Sequence, residues 1–389
     1  MIRYLTAGES HGEALIGIVE GVPAGLPITA EDIDIHLARR WLGFGRGGRA
    51  KIEADRVHIY SGIRFATTMG SPIALRIDNA AYRSDKAGWP EVMAVEGDGE
   101  GVERVTLPRP GHADLAGVQK YRFDDIRPVI DRASARETAI RVACCSVARR
   151  LLAHFGIEVG SHVLSIGEVE CGGTSFDQAD LLIQEGASAI NRVADLSEVR
   201  MLSDHDTTRC VDHIKQVKKE GDSLGGVFEV VVTRVPAGLG SYVQWDRRLD
   251  GQLAQAILSI QGQKAVEIGD GIGAASKRGS AVHDEITHPK ESLGRMSNRA
   301  GGIEGGVSNG MPIVVRSYMK PIPTLISPLK TVDIDTGERQ TTRYERSDVT
   351  SVPAASTVAE AVVSLVVANA FLEKFGGDSI AEIEERFRG

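Results

Sequence analysis

The chain has 389 residues, 42% hydrophobic and 25% charged, with a formal net charge of -8, which describes an ordered protein with a large core. That charge excludes a nucleic-acid binder relying on bulk attraction to phosphate. The first residues, MIRYLTAGESHG, carry neither a signal-peptide apolar region nor a membrane span, and the four cysteines form no disulfide framework or zinc motif; a cytoplasmic protein with no membrane association and no metal is expected.

In chain order, IRYLTAGES predicts a strand that delivers Ser10 and His11 to a glycine turn, and GIVEGVP a second short strand. Thr29, followed by Glu31 and Asp32, opens a helix running to about Trp41, where GFGRGGRA ends it. Strand-like pieces follow in 51–78, and 79–101 reads as a mobile surface loop. Ser134 and Glu137 have capping-box spacing at the start of a helix over 134–155, with Ile140, Cys144, Val147 and Leu151 facing a core and Cys144 and Cys145 buried. Gly156 stops it. Strands in GIEVGSHVLSIGEVE, two helical stretches after Asp177, a strand in GGVFEVVVTRV and a helix over 245–260 come next. The glycine-dense stretch 262–310 predicts turns lining a site, and a last helix covers 356–375.

Two series of strands each end in a long helix, which suggests a duplicated α/β or α+β unit, although the identity between halves is too low to see a repeat by eye. No Pro/Ser linker divides the chain, so one integrated domain over 1–389 is expected.

The residues that point to chemistry are two histidines in glycine-rich strings, Gly8–Glu9–Ser10–His11–Gly12 and Arg109–Pro110–Gly111–His112. Glycine permits close backbone approach to a ligand, and histidine exchanges a proton near neutral pH. Arg40, Arg46 and Arg49 lie between the strings, Arg132 and Arg136 after them; arginine grips phosphate or carboxylate in a fixed fork. Ser134 reads as a helix cap whose flanking arginines complete an anion cradle. The pattern is a site for proton chemistry on an anionic small molecule. His36, His58, His154, His162, His213 and His288 lack that setting and read as surface or structural residues. Neither G-x-G-x-x-G after a strand nor G-x-x-x-x-G-K-[ST] is present, so no Rossmann or P-loop site is supported.

Over essentially its whole length the chain resembles the chorismate synthase family. GESHGEALIGIVEGVP (8–23), DRASARETAIRVA (131–143) and RSDVTSVPAASTVAE (346–360) match the family's strings, and RPGHADL, VEIGDG, GGIEGG and KPIPT agree. The resemblance implies an α+β fold, an internally duplicated β-α-β sandwich with antiparallel sheets flanking a central helical layer, assembled as a homotetramer. It implies a lyase of the shikimate pathway that converts 5-enolpyruvylshikimate 3-phosphate to chorismate by 1,4-anti elimination of phosphate, requiring reduced FMN without net redox change. The alternative is an FMN-dependent reductase acting on another anionic molecule.

By the same resemblance His112 holds a proton for the reduced flavin, His11 assists phosphate departure, and Asp348 acts with flavin N5 in removing the C6 proton. Ser10, Arg40, Arg46, Arg49, Arg109, Ser134, Arg136 and Arg346 bind the substrate. Flavin contacts fall on Arg132, Ala133, Ser134, Gln261, Gly262, Gly305, Lys320, Pro321, Ile322, Pro323, Thr324 and Arg346; Arg40 and Arg46 also match positions assigned to NADP. NADPH is implied only for members that reduce their own flavin, and the compact chain favours an external flavin reductase. Two departures stand out: Thr350–Ser351 where the family often has Cys–Ala, and Gly48 where it often has arginine.

Overall fold

The computed structural model describes residues 1–44, 55–83, 88–287, 293–342 and 348–388, the side chains of 174–177 excepted. Arg46, Gly48, Arg49 and Arg346 therefore lie outside the described residues.

Two antiparallel sheets enclose a layer of helices. The four-stranded sheet runs in the order Arg3–Ala7, Ala14–Glu20, Ile73–Asp78, Val57–Ile59. Alternation explains its inward face: Ile73, Leu75 and Ile77 are buried while the residues between them are not. The helix Thr138–His154 lies across it so closely that a Cβ on Gly17 would sit 2.4 Å from Cys144 Sγ, so no larger residue fits there. The five-stranded sheet has the order Gln263–Ile268, Ile313–Met319, Gly226–Thr233, Glu158–Ile166, Val169–Glu170. The helix Val352–Phe375 packs on its central strands and on Thr138–His154. That helix is long and apolar enough to cross a membrane, yet 83% of its most apolar window is buried inside the protein; hydrophobic all round, it is a core helix.

The duplication is real and extends to hydrogen bonds. Leaving out the short Val169–Glu170 edge, each sheet has its strands in the spatial order first, second, fourth, third. In each, a helix (Ala30–Arg39 or Leu249–Leu258) follows the second strand, a small hairpin precedes the fourth, and a long helix closes the unit. Thr68 Oγ1 accepts from Leu26 N at 2.9 Å and donates to Pro23 O at 2.6 Å; Ser308 Oγ accepts from Leu239 N at 2.8 Å and donates to Pro236 O at 2.7 Å. These bonds join VPAGL at 22–26 and at 235–239 to equivalent hairpins, so the repeat is visible in the sequence after all. It escapes a scan at fixed period because helices between Gly173 and Glu220 are inserted into the second unit only.

A buried charge cluster ties the halves together. Glu360, fully buried on Val352–Phe375, accepts from Arg39 Nη1 at 2.6 Å and from Arg149 Nη1 at 2.5 Å, and Arg200 Nη2 lies 3.3 Å away. Burial pushes its carboxyl up, but the three guanidiniums outweigh that and hold it well below the usual range. Asp195 shares Arg39 with it. Arg39 is the last helical residue before Arg40, so the cluster fixes the turn from which Arg40 leaves.

Local boundaries differ from expectation in three places. Ser134 does not form a capping box with Glu137: its Oγ accepts from Arg136 N at 3.2 Å to cap a 3₁₀ turn, Ala135–Glu137, and the α-helix starts at Thr138. Glu137 turns instead to Thr6 and Arg141. The last long helix begins at Val352, with Pro353 in its first turn where a missing N–H costs nothing. The expected mobile loop over 79–101 contains a short helix, Trp89–Val92, packed on His11.

Candidate active site

The candidate residues gather where corresponding loops of the two units meet: Asn79 and Lys320 each follow the fourth strand of their unit, and 131–137 and 348–351 each lead into its long helix.

The first unit supplies two buried aspartates that each gather candidate side chains. Asp131, on the helix Arg127–Ala133 and fully buried, accepts from Ser10 Oγ at 2.6 Å and from His11 Nδ1 at 2.5 Å, all on Oδ1. Burial alone would raise its pKa, but the hydrogen bonds from His11 and Ser10 and the nearby charges hold it below the ordinary range. With Nδ1 engaged, His11 presents Nε2 as its working nitrogen. Asp55, also buried, accepts on Oδ2 from Arg40 Nη2 at 2.8 Å and Trp41 Nε1 at 2.9 Å, and on Oδ1 from Arg136 Nη1 at 2.6 Å. Its pKa is likewise pushed up by burial and brought below normal by Arg40 and Arg136. Two guanidiniums thus share one carboxylate. Asn79 links this pair to the histidine turn: Oδ1 accepts from Arg136 Nε at 2.9 Å, and Nδ2 donates to Glu9 O at 3.1 Å and Gly12 O at 2.7 Å.

A second histidine is held in the same way. His112 Nδ1 meets Asp114 Oδ1 at 2.5 Å, and Arg109 donates through Nε to Asp114 Oδ2 at 2.8 Å. Burial acts to raise Asp114, and hydrogen bonds from His112 and Arg109 reverse it to well below the usual range. Arg109 thus lies with His112, apart from the Arg40–Arg136 pair. The helices carrying Asp114 and Asp131 pack together through Val118, Ile126 and Val129, so one small apolar cluster supports both His–Asp pairs.

Around His112 the second unit supplies its share. Gly111, at φ +80°, brings its carbonyl onto Lys320 Nζ, and Pro323 Cβ would lie 3.5 Å from any Cβ added there. Lys320 N donates to Gly262 O at 3.0 Å. Asp348, 3.5 Å from Ser351 Oγ, precedes Val349, whose carbonyl accepts from Leu224 N at 2.8 Å; Ser223 Oγ donates to Ile322 O at 2.6 Å. His112, Gln261–Gly262, Lys320–Pro323 and Asp348 are thereby contiguous. Arg132 bonds to Thr6 O at 3.1 Å and Gly8 O at 3.3 Å, behind the histidine turn. Arg132 also lines, with Tyr4, Leu5, Thr6, Glu137, Arg141 and Gln261, a cavity of about 320 Å³.

Gly305, another of the expected flavin contacts, belongs to a separate turn. It turns the Ile303–Glu304/Val307–Ser308 hairpin beside Tyr242, and Gly306 O accepts from Leu249 N at the start of Leu249–Leu258, whereas Gln261 follows that helix's other end. A ten-residue helix spans about 15 Å, so Gly305 and Gln261 stand near its opposite ends. Sequence reasoning missed Asp55, Asp114 and Asp131. Only Asp114 had a local signal, two residues after His112.

The cavity's donor set suits a flavin. Gln261 Oε1 is buried without a partner, an acceptor beside guanidiniums, which matches a ring bearing both an imide N–H and carbonyls.

The chorismate synthase family model matches residues 2–372. A chorismate synthase from Salinibacter ruber is 67% identical over 98% of this chain and 97% of its own length. One from Chlorobaculum tepidum is 54% identical over 99% and 96%. A crystal structure of a chorismate synthase superposes with a TM-score of 0.79 at 41% identity, covering 100% of this chain and 96% of that one.

Proposed function

The chain belongs to the chorismate synthase family and catalyses the FMN-dependent elimination of phosphate from 5-enolpyruvylshikimate 3-phosphate to give chorismate; on that premise we propose how its own residues do so. The observation that carries the reading is the pair of histidines, each fixed at Nδ1 by a buried aspartate, with buried Arg40 and Arg136 linked to the first through Asn79 and half-buried Arg109 beside the second.

Arg40 and Arg136, oriented by Asp55, bind the anionic groups of the substrate in fixed forks. His11 Nε2 delivers a proton or positive charge to the departing phosphate, with Ser10 holding the ring's partner in place. His112 Nε2 faces the cofactor side and holds a proton there, and the Asp348 carboxylate accepts the proton leaving C6. Lys320, Arg132 and Gln261 hold the cofactor. Bound there, reduced FMN would supply transient electron density to the allylic system, with no net redox change.

We further assign reduced FMN to an external flavin reductase, without NADPH at this site, and the enzyme to the cytoplasm, where the free Cys144, Cys145, Cys171 and Cys210 stay reduced. In anaerobic assays chorismate should form with dithionite-reduced FMN and not with oxidised FMN plus NADPH. Product in both would establish intrinsic flavin reduction; product in neither would overturn the reading.

Assembly as a homotetramer is supported by the outer face of the four-stranded sheet. Leu5, 72% exposed, pairs across strands with Ile18, 45% exposed, next to exposed Ile16. Such a contiguous apolar patch marks an interaction surface. Sedimentation equilibrium should give four chains of 41.7 kDa and, for Leu5→Lys/Ile18→Lys, a smaller species; an unchanged mass would remove this face from the assembly.

A further inference from the structure

The imidazole of His11 is gripped twice. Asp131 fixes it in its own plane through Nδ1 at 2.5 Å, and the Trp89 indole lies on its face, with ring centroids 3.8 Å apart and planes inclined by 15°. The first contact alone leaves the ring free to roll about the Nδ1···Oδ1 line, sweeping Nε2 through an arc. A flat surface against the ring removes that freedom. Trp89 is itself held: Pro90 follows it in the first turn of Trp89–Val92, Met93 N donates to Trp89 O at 2.9 Å, and the Arg127 guanidinium lies 5.4 Å over its ring. Arg127 begins the helix that carries Asp131, so a single element supports both constraints on His11.

We propose that Trp89 is a positioning residue for the elimination, clamping the His11 ring so that Nε2 points at the leaving phosphate and stacking more strongly as the ring takes up positive charge. The inference rests on the proton-donor role given to His11 above. An indole face attracts an imidazolium; Asp131 at Nδ1 independently favours the charged ring, and Arg127 on the indole opposes the attraction. Trp89 therefore contributes when the proton is on His11, before and during transfer, and its effect falls on turnover rather than on substrate capture by Arg40 and Arg136.

The test compares Trp89→Leu, Trp89→Phe and His11→Asn, with prereduced FMN under anaerobic conditions. Trp89→Leu should lower kcat by about 10-fold or more, since small misplacements of reacting groups are costly, with KM little changed; Trp89→Phe, which keeps a flat aromatic face, should recover most of the loss. Full turnover in Trp89→Leu alongside loss in His11→Asn overturns the clamp alone. Full turnover in His11→Asn overturns the donor role beneath it.

Discussion

Asp131→Asn is expected to lower turnover by about 10²- to 10⁴-fold while leaving the protein folded. One carboxylate oxygen accepts from both Ser10 Oγ and His11 Nδ1. An amide offers one accepting oxygen and, if flipped, a donor facing Nδ1, which would make Nδ1 the acceptor and leave a neutral ring with its proton on Nε2, no longer favoured as the imidazolium that donates. The replacement is nearly isosteric, so packing of the Arg127–Ala133 helix persists. Single-turnover formation of chorismate with prereduced FMN measures the effect; a wild-type rate would show that Ser10 and His11 need no shared anchor. Because Asp131 and Asp114 both titrate below their ordinary range, their stabilising contribution is complete above the unfolded value of about 3.9 and is lost as pH falls below it. A loss of activity above pH 5 on the acidic side would thus belong to other groups.

Asp55→Ala should be the most damaging single change on the anion side. The Asp55 side chain is 1% exposed, and those of Arg40 and Arg136 are 6% and 3% exposed. Removing it leaves two like charges buried without their common partner, which costs about 3–5 kcal/mol of stability. The guanidiniums then swing apart, and kcat/KM should fall by at least about tenfold because their forks no longer match the substrate's oxygens. Asp55→Asn preserves the shape and separates the two effects: it should keep more stability than alanine yet still lower kcat/KM. Thermal unfolding and steady-state kinetics check both. A kcat/KM equal to wild type in the folded asparagine variant would make Asp55 purely structural.

How legible was this in the chain? His11 and His112 were, because glycine-flanked histidines near arginines have few structural uses, and the core face Ile140, Cys144, Val147 and Leu151 is buried as its helical spacing predicts. The aspartates that aim them were less so. Asp131 lies 120 residues from His11, and Asp55 lies 81 residues from Arg136; long-range partners of this kind leave no local pattern, and a buried aspartate reads like any surface one. Trp89 was hidden by a stretch with little periodicity, since a one-turn helix is too short to show any. The repeat had a sharper signature than composition suggested: Gly62–Ile63, Pro72–Ile73 and Arg76 recur with identical spacing as Gly302–Ile303, Pro312–Ile313 and Arg316. The insertion between the second unit's first strands disguised it.

That repeat also bears on symmetry. A dimer of identical units would present the same residue at both equivalent places around its axis. Covalent fusion lifts that restriction: Asn79 and Lys320 leave equivalent strands, yet the first bonds to Arg136 and the histidine turn and the second to Gly111 beside His112. The reactant has no two-fold axis, and neither does the crevice that receives it. The near-symmetric scaffold keeps the rigidity of a paired structure while its two loop sets diverge in chemistry, an asymmetry no self-associating half could encode.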